Sequence, residues 1–415
     1  MNRRPIAVLT DSSTLLWLGT LAVATLLLPA PDAAMADDDI RRISAAPQPL
    51  YSDSVSVTGL ELVHTTQLLP VDQNGALFAP GDPERQVQRV LDQVVDVLAA
   101  QQVSQDKLIR LNVYVADEQA IGKFLKVLQL RFRHALPAVT IVTTRLPLEG
   151  ALIAVEAVAA RSVSITDGLP ALRRVSTIAG RQDTAHSAAL PVGETIYISG
   201  QAEPGDGLAT ATAATLAGLR KTLEHLGLGL EHVAQIKCFL QPMVEAEEAY
   251  VQIEEFFGDR LAPPVSVVEW ISTLPIEIEM VVHSPHGEPG AGLTHEWLPW
   301  LTASPAYCRL TRVHSNTQIF VSGCGGEIRS DDAHQVSQAF ETLQMRLEDA
   351  GSDLFHMAKA TYYVRNQAAS LAVNEIRPTL YDPEHPPAAS KALVYGIGQT
   401  GRSVSVDMIA VPKAE

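Results

Sequence analysis

Gly396-Ile397-Gly398-Gln399-Thr400-Gly401 carries the letters of a dinucleotide fingerprint. For that chemistry the glycines must follow a strand and open a helix, so that backbone amides and the helix dipole meet a pyrophosphate. The apolar run after them, Val404 to Val411, reads as a strand, so the segment is expected to be a hairpin turn. His283-Ser284-Pro285-His286 sets two imidazoles near each other, but a third ligand is lacking and a proline interrupts what reads as a linker, so solvated loop histidines are expected. Arg181, Asp183 and His186 gather within a few positions, without the spacing of a catalytic triad. Cys324 stands among Gly323, Gly325 and Gly326, where a reactive thiol would be accessible. No histidine is identifiable as its partner, and it reads better as a small buried hydrophobe. Nothing in these patterns calls for a metal or a cofactor.

The composition narrows the partners. Against 31 Lys plus Arg stand 47 Asp plus Glu, a formal charge of -16, which offers no global footprint for a polyphosphate chain; nucleic acid is not expected as a partner. With 47% hydrophobic and 19% charged residues, the 415-residue chain can fill two or three ordinary cores and is neither disordered nor collagen-like. Cys238, Cys308 and Cys324 fit no disulfide framework and no Cys-x-x-Cys pattern. Arg3 and Arg4 precede an uncharged apolar run from Leu15 to Leu28, followed by Ala34-Met35-Ala36 and then Asp37, Asp38 and Asp39. That order predicts a cleavable leader over 1–36 and an exported protein, periplasmic or extracellular. As a helix the run reaches about 21 Å at 1.5 Å per residue, short of the ~30 Å hydrocarbon core, so no stable membrane anchor is expected.

The elements that must position any site recur three times. The first strand of each copy ends in Val63-His64-Thr65-Thr66-Gln67, Tyr197-Ile198-Ser199-Gly200-Gln201 and Phe320-Val321-Ser322-Gly323-Cys324. An amphipathic helix follows, with Val87, Val90, Leu91, Val94, Val95 and Leu98 on one face in copy 1, Leu216, Leu219, Leu223 and Leu226 in copy 2, and Val336, Phe340, Leu343 and Leu347 in copy 3. Next come a strand (Leu108 to Val115, Val233 to Leu240, Met357 to Val364), a second helix, and a proline step at Leu136-Pro137-Ala138, Ala262-Pro263-Pro264 and His385-Pro386-Pro387. Proline forces an extended entry into what is expected to be a two-stranded hairpin. Each copy is therefore α+β, one sheet with two helices on a single face. The copies are placed at 37–160, 173–283 and 297–415, joined by linkers at 161–172 and 284–296.

Ile198-Ser199-Gly200-Gln201, the proline step, Leu274-Pro275-Ile276-Glu277-Ile278-Glu279 and the helix-strand unit between them resemble the RidA family, also called YjgF. Copy 2 carries the clearest resemblance. Copy 3 follows it through its helices, and copy 1 through Pro49-Leu50-Tyr51-Ser52, Leu146-Pro147 and Val155-Glu156-Ala157-Val158-Ala159. The resemblance implies a chorismate-mutase-like fold and trimers with a ligand cleft at each subunit interface. Three tandem copies would then form a self-contained, monomeric pseudo-trimer binding a small molecule, an intramolecular version of a concentration-dependent assembly.

Active members of the family hydrolyse imines or enamines derived from amino acids, gripping the substrate carboxylate with an arginine just after the proline step. The matching positions here are Val139, Val265 and Ala388. A valine or alanine offers no charged fork, and losing such a contact costs an anionic ligand ~1.5 to 3 kcal/mol. Arg145, Lys391 and Arg402 are the candidate substitute cations. The family's water-positioning glutamate corresponds to Glu277, with Ala154 and Ser405 in the other copies. The second acid persists as Glu156, Glu279 and Asp407 and is expected to pair with a neighbouring chain segment. The family's cleft tyrosine matches Tyr51 and Tyr307, with His186 between them. The resemblance thus implies ligand contacts at Tyr51, His186, Gly200, Gln201, Tyr307, Gly323 and Cys324. The leading expectation is a family member whose clefts take small metabolites but have lost the usual grip on acids. An imine or enamine deaminase working through Glu277, with Gly200 and Gln201 on the floor and His186 capping the site, is the alternative. A family-type endoribonuclease fits the acidic chain poorly.

Overall fold

The computed structural model describes residues 39–162, 171–177, 181, 183–287, 290 and 292–413. The predicted leader over 1–36 lies outside them, as do parts of both predicted linkers. Among the described residues no helix is long and apolar enough to cross a membrane.

Three six-stranded mixed sheets carry the fold. Copy 1 contributes β3 (Glu61–Thr65), β4 (Leu108–Val115), β5 (Ala138–Thr143) and β6 (Ile153–Arg161), with helices α1 (Pro83–Ala100) and α2 (Gln119–Arg131). Copy 2 supplies β9 (Glu194–Gln201), β10 (Val233–Leu240), β11 (Val265–Glu269) and β12 (Ile276–Ser284), with α3 (Leu208–His225) and α4 (Ala246–Phe257). Copy 3 supplies β15 (Thr317–Cys324), β16 (Met357–Val364), β17 (Ala388–Leu393) and β18 (Val404–Ala410), with α5 (Asp332–Asp349) and α6 (Gln367–Leu380). Capping fixes the helix starts: Asp82 accepts from Arg85 N–H at 3.0 Å ahead of Pro83, and Asp331 accepts from His334 N–H at 2.8 Å. The apolar stripes anticipated on α1, α3 and α5 are buried against their own sheets, except that Val95 and Leu226 are half-buried. Each fully buried Leu or Val contributes ~1.5 to 3 kcal/mol relative to exposure.

One expectation is corrected. The strands after the proline steps do not form hairpins with the strands that follow them. β5, β11 and β17 pair in parallel with β4, β10 and β16, while β6, β12 and β18 pair antiparallel on the other side of those central strands. Gly396 to Gly401 therefore crosses over β16 to join β17 to β18 and is not a hairpin turn.

The remaining strands do not stay with their own copies. β1 (Ile40–Ile43) and β2 (Ser54–Thr58) complete the sheet of copy 3, where β2 pairs with β15. β7 (Arg173–Val175) and β8 (Ser187–Leu190) complete the sheet of copy 1 through β3. β13 (Leu293–Glu296) and β14 (Leu310–Val313) complete the sheet of copy 2 through β9. Each sheet thus has four strands from one copy and two from the chain that leads into the first strand of the next, β13 falling within the stretch 284–296. Side chains of all three copies, among them Ile109, Tyr197, Ala234, Phe320 and Ala358, meet in a shared apolar cluster on the inner faces.

Candidate functional site

The seams between copies repeat one motif. A hydroxyl at the end of the first strand accepts an amide hydrogen bond from the strand after the proline step of another copy. Ser322 Oγ accepts from Val139 N–H at 2.7 Å, Ser199 Oγ from Ala389 N–H at 2.8 Å, and Thr66 Oγ1 from Val265 N–H at 3.4 Å. These contacts join copy 3 to copy 1, copy 2 to copy 3 and copy 1 to copy 2. They also correct an alignment: Ala389, not Ala388, stands where Val139 and Val265 stand. The parallel register agrees: Ala389 pairs with Ala360 as Val139 pairs with Leu111 and Val265 with Ile236, which matches Ala388 to Ala138.

The same pairing moves the floor of copy 1 by one residue. Leu68, Gln201 and Cys324 occupy equivalent register positions opposite Val155, Ile278 and Val406. Gly200 and Gly323 are therefore matched by Gln67, and strand alternation sends the next residue to the opposite face. Gln201 and Cys324 accordingly do not line a crevice. Gln201 Nε2 donates to Thr222 Oγ1 of α3 at 2.9 Å. Cys324 is buried in the core of copy 3, its Sγ donating to Ser322 O at 3.3 Å, and burial raises its pKa. The sequence-based placement of both in the ligand site is corrected on this ground, and the buried-thiol reading of Cys324 stands.

Floor and wall are complementary in size. Gly200 lies under Glu277, and a Cβ there would collide with the carboxylate; Gly323 lies against Ser405; Gln67 accompanies Ala154. Glu277 is half-buried, and burial raises its pKa to about 7, with Glu279 adding to the shift and Ser390, Lys359 and Arg309 opposing it. Its Oε1 is out of solvent and, among the described residues, has no hydrogen-bond partner. A carboxyl group in that condition can take or give a proton near neutral pH. Gln67 is instead engaged at both ends by the β11 backbone, donating to Val267 O at 3.0 Å and accepting from Val267 N–H at 3.4 Å.

His186 is also displaced from its expected role. Its carbonyl accepts from Thr66 N–H, as those of Arg309 and Asp53 accept from Ser199 and Ser322, so it stands two residues beyond the counterpart of Tyr51 and Tyr307, which is Thr184. It does line the crevice between copies 1 and 2, in a cavity of about 560 Å³ that Gln67 and Tyr250 also line. Its Nδ1 accepts from Thr177 N–H at 2.9 Å, and burial lowers its pKa, leaving it neutral. Tyr51 and Tyr307 are half-buried and lean on the cores of copies 1 and 3.

The cations at the crevices have protein partners. Arg181 bridges Glu254, at 2.7 Å, and Glu247 over the Tyr250 ring. Arg346 binds Asp53 at 2.7 Å and the Ser322 carbonyl at 3.0 Å. Arg309 donates to Thr302 O at 2.9 Å and covers the Tyr307 ring. Of the candidate substitutes, Lys391 donates to Asn374 Oδ1 at 2.8 Å, and burial lowers its pKa to about 8. Arg145 sits 3.6 Å from Glu269, and Arg402 packs beside Gly325. His283 belongs to β12 and is buried rather than solvated in a loop.

Sequence reasoning missed three buried cations at the boundaries between copies. Lys237 reaches Glu156 at 3.2 Å, Lys359 reaches Glu279 at 2.7 Å, and Arg110 pairs with Asp407. Each pair crosses to another copy, as anticipated for the repeated acid. Burial pushes the Glu156 carboxyl up, but Lys237, Ser266, Arg110 and Tyr114 outweigh it and hold it at about 2. The available signal was a lone basic residue inside each otherwise mostly uncharged central strand.

The model of the family described as Endoribonuclease L-PSP matches residues 42–161 and again 301–412, more than half of the chain. The stretch between the two matches holds copy 2, whose sheet has the same strand order as theirs. Among solved structures, a YjgF-family protein from Neisseria meningitidis is 20% identical over 30% of this chain and 97% of its own, with a TM-score of 0.23. A Rid-family protein of unknown function from Yersinia pestis is 21% identical over 30% of this chain and 99% of its own, with a TM-score of 0.28. A YjgF/YER057c/UK114-family protein from Mycobacterium tuberculosis is 22% identical over 22% of this chain and 77% of its own, with a TM-score of 0.22. No curated protein matches the sequence.

Proposed function

Because the chain belongs to the Endoribonuclease L-PSP family, also called RidA or YjgF, we propose that its crevices hold small metabolites without the arginine grip on a carboxylate that active relatives use. The observation that carries this reading is the seam itself. Val139, Val265 and Ala389 are buried, and their amides donate to Ser322, Thr66 and Ser199, so the place of the grip carries no side-chain charge. The chain works in this reading as a self-contained pseudo-trimer, exported by its leader. Calorimetric titration with 2-oxobutyrate and its amide tests the ligand preference: the amide is expected to bind more tightly, and preferential binding of the acid would refute the reading. Ribonuclease action fits poorly with a charge of -16, since binding to phosphates is carried by basic side chains.

A second reading is favoured by Glu277. With its pKa near 7 and one oxygen unmet, it can take a proton from water as the oxygen adds to an imine carbon. The same proton then passes to nitrogen to give a carbinolamine; the carboxylate next moves the hydroxyl proton to that nitrogen as the C–N bond breaks, and ketone and ammonia leave. Arg309, close enough to act on Glu277 electrostatically, gives this crevice a cation. Ammonia release from freshly generated imino acids, compared between wild type and Glu277→Ala, decides it; equal rates would remove the hydrolase reading.

A further inference from the structure

For the crevice between copies 1 and 2 the metabolite-binding reading extends to a class of ligand, and that assignment rests on the reading. Gln93, on α1, lines the cavity of about 560 Å³ there, is 1% exposed, and has neither Oε1 nor Nε2 hydrogen-bonded among the described residues. No other glutamine buries an unpartnered carboxamide atom among those residues. The contrast with Gln86, two turns earlier on the same helix, is direct. Gln86 Nε2 donates to Gly150 O at 3.2 Å, and its Oε1 accepts from Leu152 N–H at 2.7 Å. Gln335, at the corresponding place in α5, is bound in the same manner by Gly401 O and Ser403 N–H. The fold therefore satisfies a buried carboxamide where its purpose is structural. A buried amide left unmet at both ends costs stability, which a ligand supplying both partners would relieve.

Gln93 is also specific to copy 1. α1, α3 and α5 each have 18 residues, and the equivalent positions hold Gly218 and Thr342. The same cavity is lined by Asp183, Glu247 and Glu254 against, among the described residues, the one guanidinium of Arg181, so excess negative charge disfavours a carboxylate.

We propose that the crevice between copies 1 and 2 binds a small cyclic amide or ureide, whose adjacent N–H and C=O are read together by the Gln93 carboxamide. The ligand N–H donates to Oε1 and its C=O accepts from Nε2, two bonds closing one ring, and a compound lacking the N–H leaves Oε1 unmet.

The test is calorimetric titration of the full chain with 2-pyrrolidinone, hydantoin and uracil, with 1,3-dimethyluracil as the analogue without N–H. Wild type is expected to bind at least one of the first three saturably, and at least about tenfold more tightly than Gln93→Leu does. 1,3-Dimethyluracil is expected to gain nothing from Gln93. Because Leu removes an unmet polar group from a buried site, this variant is expected to melt no lower than wild type, so lost binding would not reflect unfolding. Equal binding by wild type and Gln93→Leu, or no binding of any of the three, would overturn the assignment. Binding of 2-oxobutyrate in preference to its amide would overturn the broader reading of the crevices while leaving the role of Gln93 to be judged by the variant.

Discussion

Lys359 Nζ lies 2.7 Å from Glu279 Oε2 across the boundary between copies 3 and 2, and both side chains are withdrawn from water. Ser390 Oγ donates to the same carboxylate oxygen at 2.6 Å. A buried pair of this kind is weak evidence of net stabilisation but is costly to break from one side, since the remaining charge stays desolvated. Lys359→Met is expected to cost about 3 to 5 kcal/mol in urea unfolding of the full chain. Lys359→Met with Glu279→Leu is expected to recover most of that loss. A single variant as stable as wild type would show that the pair does not join the copies energetically.

The strand exchange makes a different prediction. β8 pairs with β3, and β2 with β15, so copies 1 and 2, and copies 3 and 1, are held by backbone ladders as well as by side chains. A protease site engineered within residues 163–170 and cut in the folded protein is expected to leave both fragments co-eluting in size-exclusion chromatography. They should separate only in denaturant. Separation under native conditions would mean that the exchanged strands do not hold the copies together.

The three copies, their helical stripes and their central strands were legible because each depends on local periodicity. What lay beyond the sequence was which partner a strand chooses. Only Gly59 and Leu60 separate β2 from β3, a pattern that suits a hairpin, yet the strands part and join different sheets. The one-residue shifts that match Gln67 to Gly200, and put Ala389 in the place given to Ala388, are likewise set by strand pairing and not by local pattern. Gln93 was not singled out, because periodicity locates a face but not the neighbour that covers it. Glu277 and the repeated second acid were visible only through the family resemblance, and the cations beneath them were not singled out.

Acid sensitivity follows from His64. It is buried, with Nδ1 3.1 Å from Gln235 Oε1, and burial lowers its pKa to about 4 from an ordinary 6.5. Between those values the unfolded chain binds the proton and the folded chain does not, so this contribution to stability is present above about pH 6.5 and is lost as pH falls towards 4. His64→Gln is expected to flatten the fall in melting temperature between pH 6.5 and 4. An unchanged slope would show that His64 does not titrate this way.

Glu277 has the opposite sign. Its pKa is raised from 4.5 to about 7, so the folded chain holds the proton more tightly than the unfolded one, and the resulting stability is present below about pH 4.5 and lost as pH rises through 7. Glu277→Gln keeps the shape, stays neutral and removes this dependence. It is expected to leave melting at pH 5 nearly unchanged and to raise stability at pH 8 by on the order of 2 kcal/mol. If the crevice between copies 2 and 3 is hydrolytic, the same substitution should remove its turnover, and the wild-type rate should rise with an apparent pKa near 7 as the carboxylate forms. Stabilisation at pH 8 without loss of any turnover would identify Glu277 as a strained structural acid, and an unchanged stability at both pH values would show that its carboxyl is ordinary.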